Sequence, residues 1–455
     1  MMHLQEAALA TGGRCNGGDP LFSAVSTDTR ADLGGKLFIA LRGERFDAHD
    51  FLAQAAAQGA VAALVDERSD LVAPAGLPLL RVADTRLALG ALAAHWRNKF
   101  VLPLIGVTGS NGKTTVKEMC AAILRAWLGG DTVLATEGNL NNDIGLPQML
   151  LRLSANHRAA VIEMGMNHPG EIAYLAGLAK PSVAIVTNAQ RAHLAGMRGL
   201  LAVAEEKGQI FEALSPEGVA IINADDEHAA YWLEQHGAAK VLGFGLTQPC
   251  DVTASLEARA FGSLLKLQTP QGEASFELPV PGVHNVRNAL GAIAACLAAG
   301  APLDACVRGL SGFTGAKGRL QRKDGPAGAI LLDDTYNANP DSVRAGIDVL
   351  AATPGGKFLV LGDMGEIGEM SAQYHDEIGG YAKSAGVDRL FALGEQSALA
   401  ANNFGPGAEH FTSVDELAAA LRPLLAPDVV VLVKGSRFMR MERVVEALCS
   451  PREKD

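Results

Sequence analysis

Hydrophobic residues in this chain fall into short contiguous runs separated by amphipathic stretches, and the spacing changes along its length. Over residues 1–100 the runs KLFIAL (36–41), AVAALV (60–65) and LPLLRV (77–82) alternate with turn-rich connections. Thr85 to Phe100 then carries the apolar spacing of a helix. From Leu102 the alternation becomes regular. PLIGVTG (103–109), AAVIEMG (159–165), SVAIVTN (182–188) and GVAIINAD (218–225) read as strands, with helices over 113–127, 168–180 and 200–214 between them. Continuous Val/Ile runs joined by helices predict a parallel sheet covered on both faces. Residues 250–280 break the pattern with the period-two segments DVTASLEA and SLLKLQT, an antiparallel hairpin or edge element. Beyond Gly315 a second strand–helix series follows: AILLDD, FLVLGD, RLFALG and VVVLVKG. The expected fold class is α/β with three domains. A small α/β module (1–100) precedes a central doubly wound parallel-sheet domain (101–314) and a second doubly wound domain (315–455). The last boundary is placed in the Gly-rich stretch SGFTGAKG (311–318).

Composition narrows the class of molecule. With 455 residues, 48% of them hydrophobic, the chain has enough apolar content for several cores and is not disordered. Lys and Arg number 39 against 50 Asp and Glu, a net charge of −11. A chain so acidic is a poor bulk binder of nucleic acid or anionic membrane, although a local basic pocket remains open to it. Cysteines 15, 120, 250, 296, 306 and 449 form no CxxC pair and no Cys/His metal spacing, the pattern of free thiols in a reducing cytosol. The N-terminal segment MMHLQEAALATGG lacks the basic and apolar regions of a signal peptide. The longest uncharged stretch, Asn288 to Leu303, is interrupted by Gly and Pro and is too short to span a bilayer. A cytoplasmic protein without membrane insertion is the expectation.

The strongest local signal is VTGSNGKTT (107–115), directly after a strand and directly before a helix. Such a loop, Thr108, Gly109, Ser110, Asn111, Gly112, Lys113, Thr114 and Thr115, is suited to a nucleoside triphosphate. Gly109 and Gly112 let the backbone wrap so that N–H groups face phosphate oxygens, and the positive end of the following helix adds a fixed field. Lys113 would reach the outer phosphates and the Thr114 hydroxyl would coordinate Mg²⁺. Val107 stands where the strict P-loop consensus has Gly, so the loop is a variant. The bland alternative is a Gly-rich turn with a surface lysine. No NKxD motif for guanine recognition is present.

TGSNGKTT is followed by EGNLNNDIGLP (137–147), VIEMG (161–165), VTNAQRAHL (186–194), PGVHNVRNAL (281–290), GRL (318–320) and LLDDTYNANPDS (331–342). In this order the motifs resemble the Mur ligase family, ATP-dependent amide-forming enzymes that build the peptide of bacterial peptidoglycan. The likeness runs from VSTDTR (25–30) to VKGSR (433–437). It implies a UDP-substrate module, a central P-loop ATPase domain and a C-terminal Rossmann-like domain. GNLNN, DDTYNANP, LGDMGEIGE (361–369) and VKGSR resemble the member whose substrates are UDP-N-acetylmuramoyl-tripeptide and D-alanyl-D-alanine. The implied reaction phosphorylates the tripeptide carboxylate with ATP, and the dipeptide amine then attacks the acyl phosphate; a monomeric enzyme is expected. Alternatives are the family member that adds the third amino acid, the folate polyglutamate ligase (whose loop normally reads GKGS) and a P-loop module without ligase activity.

Several residues carry both a chemical and a bland reading. Glu163 ends a buried strand, where an unpaired carboxylate is costly, so it either faces solvent or joins Thr114 and phosphate oxygens around Mg²⁺. The resemblance makes it the first-metal ligand. His193 reads as an ordinary polar-loop residue, and Lys207, beside Glu205 and Glu206, as an ordinary helical lysine. The resemblance makes His193 a ligand of a second Mg²⁺ and Lys207 a carbamylated lysine on that metal. Asn285 and Asn288 share a helix face by their spacing, and His284 could cap the start of that helix. The resemblance puts all three in the ATP wall, with Asn288 near adenine. Arg319, after the domain connection, would neutralise the γ-phosphate on closure, and Asp334 could bond ribose hydroxyls. Asn337 and Asn339 belong to the same loop as Asp334. Ser26, Asp28 and Arg30, with Arg42, form either a capped surface turn with an ion pair or a UDP-binding turn, and the resemblance implies the latter. Thr136, Asn139 and Asn141 are expected to face the muramoyl-peptide, and Gly362 to Glu369 with Lys434 to Arg437 the dipeptide.

Overall fold

The computed structural model describes residues 1–43, 46–67, 74, 76–191, 199–235, 237 and 240–449. Three α/β bodies follow one another along the chain, each built on its own sheet. The first pairs β1 (Met2–His3) with β3 (Leu21–Phe22) and carries a five-stranded sheet ordered β2-β7-β6-β5-β4. These strands are β2 (Arg14–Asn16), β4 (Ala24–Ser26), β5 (Lys36–Ile39), β6 (Ala62–Asp66) and β7 (Leu79–Val82). Only β2 runs antiparallel to its neighbour.

The central sheet is parallel throughout and ordered β13-β12-β11-β8-β10-β9. Its strands are β8 (Leu104–Thr108), β9 (Val133–Ala135), β10 (Ala159–Glu163), β11 (Val183–Val186), β12 (Val219–Asn223) and β13 (Lys240–Phe244). After β8 the chain builds β9 and β10 on one side, then crosses to place β11 on the other. The reversal opens a crevice at the carboxyl ends of β8, β10 and β11, the usual ligand position in such sheets. One sheet face packs on helices Lys113–Leu128, Val283–Ala298 and Leu303–Ser311, through Val116, Met119, Ile123, Val286, Leu290 and Ile293. An antiparallel sheet of β14 (Thr253–Arg259), β15 (Gly262–Thr269) and β16 (Gly272–Leu278) closes that side. The opposite face shares a core with the N-terminal module, where Leu89 and Leu92 of helix Thr85–Arg97 join Leu146, Leu150, Ile172 and Leu175.

The third body has the sheet order β17-β18-β22-β19-β20-β21. It comprises β17 (Gln321–Asp324), β18 (Ile330–Asp334), β19 (Gly356–Gly362), β20 (Arg389–Leu393), β21 (Ala408–Phe411) and β22 (Val429–Lys434), parallel apart from β17. The buried residues of its two apolar clusters all come from residue 320 onward. The first two bodies are thus joined by a common core, whereas the third meets the central one through contacts that include polar pairs between side chains. Interfaces of that kind allow relative motion.

Differences from the sequence expectation have local causes. The helix expected over 200–214 ends at Gly208, followed by a short turn at Phe211–Ala213. The Trp232 ring lies so near Gly208 that a Cβ there would approach it to 3.0 Å. β13 and β16 were absent from the expected strands. The first is a sheet-edge strand, and the second, GEASFEL, carries few apolar residues.

Candidate active site

The phosphate loop sits at the end of β8 and leads into helix Lys113–Leu128. Its glycines are required by geometry. Gly109 has φ +145° and a Cβ there would strike the Thr187 hydroxyl at 1.8 Å; Gly112 has φ +84° and a Cβ would meet Asn288 Oδ1 at 2.4 Å. Residues following β11 brace the loop. Asn188 Oδ1 accepts the Asn111 N–H (2.9 Å), Thr187 Oγ1 donates to Asn111 O (2.7 Å), and Ser110 Oγ donates to Gln190 O (3.0 Å). Lys113 donates to Gly109 O (2.7 Å) and Ser110 O (3.1 Å), so its ammonium lies over the loop. Burial, reinforced by the Arg319 charge and opposed by Glu163, pushes its pKa down to about 8. Thr115 is buried and lines the cavity that His284, Asn285 and Asn288 also border. Thr108 is spent on structure, donating to Met164 O (2.9 Å) with no exposed surface.

Glu163, at the end of β10, is almost fully buried. Its Oε1 accepts from Asn141 Nδ2 (2.8 Å) and Thr114 Oγ1 (3.3 Å), while Oε2 is buried with no hydrogen-bond partner. An orphaned carboxylate oxygen is costly to bury, and a divalent cation satisfies it. The donor set, one carboxylate and one hydroxyl beside a phosphate loop, fits Mg²⁺ completed by phosphate oxygens. No cluster of three or more His, Cys, Asp or Glu able to hold a metal occurs among the described residues. His193, the expected second-metal residue, lies outside the described residues. Lys207 is buried on helix Leu200–Gly208. Burial, followed by the nearby Lys113 charge, holds its pKa well below the usual lysine range and raises the neutral fraction that carbamylation requires. Its neighbour Glu206 has a different task, accepting the Gly170 and Ile172 N–H groups (2.8 and 2.9 Å) at the start of helix Glu171–Ala179.

Two cavities flank the loop, and Arg319 and Asn111 line both. One, of about 360 Å³, is bordered by Lys113, Asn139, Asn141, Glu163, Asn337, Asn339 and the Gly365–Ile367 loop. The other, of about 330 Å³, is bordered by Thr115, His284, Asn285, Asn288, Asp334 and Lys434. Asn288 Nδ2 donates to Asn285 Oδ1 (3.2 Å), so the two asparagines share a helix face as their spacing predicts. His284 does not cap: Gly282 precedes the helix and no side-chain cap is present. Burial pushes the His284 pKa down to about 4, favouring the neutral ring. Both Asp334 oxygens are already engaged, Oδ1 with the Leu320 N–H (3.2 Å) and Oδ2 with Lys434 Nζ (2.6 Å).

Some expected cleft residues stand elsewhere. Thr136 is buried, accepts the Glu163 N–H at 2.9 Å and borders a separate polar depression near Glu118 and Arg125. Lys434 faces the cavity bordered by His284 and Asn288 rather than the Gly365–Ile367 side. Ser26 and Asp28 form the expected turn, with Asp28 ion-paired to Arg30 (2.8 Å), while Arg42 pairs with Asp47 (2.9 Å). The Asp28 carboxyl is lowered to about 2 by its hydrogen bonds from Arg30. None of these N-terminal residues borders the two cavities.

Arg191, Asp341 and Tyr374, which the sequence did not single out, also meet beside the crevice, together with the expected Asn339 and Asn111. Arg191 grips Asp341 of the third body: Nη2 reaches Oδ1 at 2.5 Å, and the backbone N–H reaches Oδ2 at 3.0 Å. Its guanidinium also lies over Tyr374. Asn339 Nδ2 donates to Asn111 Oδ1 at 2.8 Å, tying the cap of helix Pro340–Ala351 to the phosphate loop. Together these contacts place anion-binding groups of two bodies around one crevice, an arrangement suited to phosphoryl transfer.

Comparison with known proteins agrees with that chemistry. Residues 22–97 match the "Mur ligase family, catalytic domain", 107–296 the "Mur ligase middle domain" and 318–437 the "Mur ligase, glutamate ligase domain". The chain belongs to the Mur ligase family. It is 46% identical over 440 residues to the UDP-N-acetylmuramoyl-tripeptide–D-alanyl-D-alanine ligase of Escherichia coli (strain K12), covering 96% of each chain. With the enzyme of that name from Bacillus subtilis (strain 168) it shares 36% identity over 437 residues, 93% of this chain and 92% of the other. MurF from Acinetobacter baumannii superposes with a TM-score of 0.90 at 38% identity and 98% coverage of both chains. A MurF ligase from Thermotoga maritima, solved in complex with ADP, gives 0.82 at 25% identity, with coverage of 94% and 97%.

Proposed function

We infer that this chain joins D-alanyl-D-alanine to UDP-N-acetylmuramoyl-tripeptide at the expense of ATP, a step in peptidoglycan precursor synthesis. The near full-length 46% identity to the Escherichia coli enzyme carries the reading. The crevice between phosphate loop and third body supports it chemically. On this reading residues 1–100 hold the UDP end, 101–314 hold ATP, and 315–455 bring the dipeptide and Arg319. On the same reading the chain works as a monomer in the cytoplasm, where its nucleotide substrates are made available. No described helix is long and apolar enough to cross a membrane.

ATP enters with its base toward His284, Asn285 and Asn288 and its phosphates along the loop N–H groups. Lys113 leaves the loop carbonyls for the outer phosphates. A Mg²⁺ ion held by Glu163 and Thr114 would offset charge on the transferred phosphoryl group. The tripeptide carboxylate oxygen attacks the γ-phosphorus, the bond to ADP breaks, and an acyl phosphate forms. Lys113 and Arg319 supply positive charge where the phosphoryl oxygens accumulate negative charge. The dipeptide amine then attacks the acyl carbon, and the tetrahedral adduct collapses to the amide with loss of inorganic phosphate and a proton. Asn139 and Asn141 orient the muramoyl-peptide, with Asn337, Asn339 and the Gly365–Ile367 loop on the acceptor side. Ser26, Asp28, Arg30 and Arg42 receive the UDP group. Lys207, as a carbamate, and His193 would together hold a second cation near the acyl group.

The test is phosphate release from ATP with UDP-N-acetylmuramoyl-tripeptide, with and without D-alanyl-D-alanine. Release requiring the dipeptide is expected; release independent of it, or requiring a single amino acid instead, contradicts the reading.

A further inference from the structure

Arginines in and beside the crevice are mostly neutralised. Arg86 pairs with Asp143, Arg191 with Asp341 and Arg287 with Asp225. Arg319 is different. Its guanidinium carbon lies 4.2 Å from the centre of the Tyr336 ring, its Nε is buried without a hydrogen-bond partner, and no ion pair to it occurs among the described residues. The distinction matters chemically. A carboxylate partner would cancel the charge and occupy the in-plane N–H donors that an anionic substrate needs. An aromatic ring takes the face of the guanidinium and leaves its edge free.

We propose that Tyr336 is a positioning residue for the ligase reaction, holding Arg319 by its face so that the guanidinium meets the transferred phosphoryl group charged and with its edge donors available. The inference rests on the ligase reading and adds a residue to it. The two side chains are built as one unit. Tyr336 lies two residues beyond the end of β18 and donates its backbone N–H to Gly318 O at 3.1 Å. Gly318 has φ +67°, and a Cβ there would stand 3.2 Å from the Tyr336 nitrogen, so the turn before Arg319 lies directly against the tyrosine backbone. Arg319 N–H closes that turn on Ala316 O at 3.0 Å. Leu320 follows with φ +50°, a left-handed conformation unfavourable for a branched side chain, and its N–H is received by Asp334. Lys434 secures Asp334 through the other carboxylate oxygen. Asp334 therefore fixes the backbone that aims Arg319, and Tyr336 fixes the guanidinium. Both rings of contact belong to the third body, so arginine and tyrosine travel together, and both border the cavity that contains Lys113 and Glu163.

The experiment compares Tyr336→Phe, Tyr336→Leu, Arg319→Ala and the double variant Arg319→Ala/Tyr336→Leu with the wild type, in dipeptide-dependent phosphate release. Tyr336→Leu should lower kcat roughly 5- to 30-fold, the worth of a desolvated cation–π contact, with KM for the dipeptide within about 2-fold. Tyr336→Phe keeps the ring and should stay within about 3-fold of wild type. The double variant should be no slower than Arg319→Ala, because the tyrosine acts only through the arginine. The proposal is overturned if Tyr336→Phe is as impaired as Tyr336→Leu, if KM rises with kcat unchanged, or if the two losses multiply in the double variant. The last comparison also exposes a general folding defect, which would burden either background. A wild type lacking dipeptide-dependent release would sink the ligase reading instead.

Discussion

Removing the carboxylate of Asp341 should slow ligation by loosening the third body from the central one. Asp341 receives the Arg191 guanidinium through Nη2 at 2.5 Å and Nε at 3.1 and 3.2 Å, and the Arg191 backbone N–H at 3.0 Å. The pair is one-third exposed on the arginine side and 21% on the aspartate side. Exposed ion pairs contribute about 0.2–1 kcal/mol, and hydrogen bonds to charged groups about 1.5–3 kcal/mol. Partial exposure places this pair between them, at about 1–2 kcal/mol of preference for the arrangement in which the two bodies are joined through it, or roughly 5- to 30-fold in that equilibrium. Asp341→Ala is expected to lower kcat by about that factor. Small-angle scattering of the ATP-bound enzyme should show a more extended molecule. Replacing Arg191 by Asp and Asp341 by Arg together should recover part of the loss, since the guanidinium–carboxylate pair returns but the backbone N–H bond to Asp341 does not. Unchanged kcat and scattering for Asp341→Ala, or no recovery in the exchanged pair, would show that this pair does not hold the two bodies together.

Glu163→Gln keeps an acceptor for Asn141 and Thr114 but removes the buried charge. It should lower kcat roughly 100-fold and raise the Mg²⁺ concentration needed for half-maximal rate, and an unchanged Mg²⁺ titration would contradict the assignment. Lys113, held near 8 by burial, loses its proton in the free enzyme as pH rises through that value, so ATP affinity should fall above about pH 8. Because its folded pKa lies below its unfolded one, the same burial costs stability at neutral pH, a cost that fades between about 8 and 10.5. Lys113→Met should accordingly abolish turnover while raising the unfolding temperature; a lowered temperature would contradict the desolvation argument. Turnover should fall in CO₂-depleted buffer and in Lys207→Ala, with partial recovery on adding formate to the variant. Indifference to CO₂ would remove the carbamate role.

Much of the architecture was legible because parallel sheets bury both faces and leave unbroken Val/Ile runs, as at β8, β10, β11, β12 and β22. The phosphate loop was legible because its glycines answer to backbone geometry and steric contact rather than to the fold as a whole. The edge strand β13 and the largely polar β16 lack that signature. Residue position after a strand reveals which end of a sheet a side chain occupies, but not which side of it. Hence Glu163 stands at the strand end as its position implies, while Thr136 turns inward to its neighbour strand and Lys434 turns to the cavity bordered by His284 and Asn288. Arg191–Asp341, 150 residues apart, arises only when two bodies meet, so no local pattern announces it. Tyr336 sat inside a recognised motif, yet its task depends on a left-handed Leu320 and a turn at Gly318 that only the folded chain displays.

One crevice is expected to couple ATP cleavage to amide formation between the muramoyl-tripeptide and the dipeptide. The most direct measurement follows inorganic phosphate and the muramoyl-peptide product together, by coupled absorbance and mass spectrometry, with all three substrates present. One phosphate should be released for each dipeptide incorporated, with negligible release when the dipeptide is left out. Phosphate accumulating without the extended peptide would contradict that coupling.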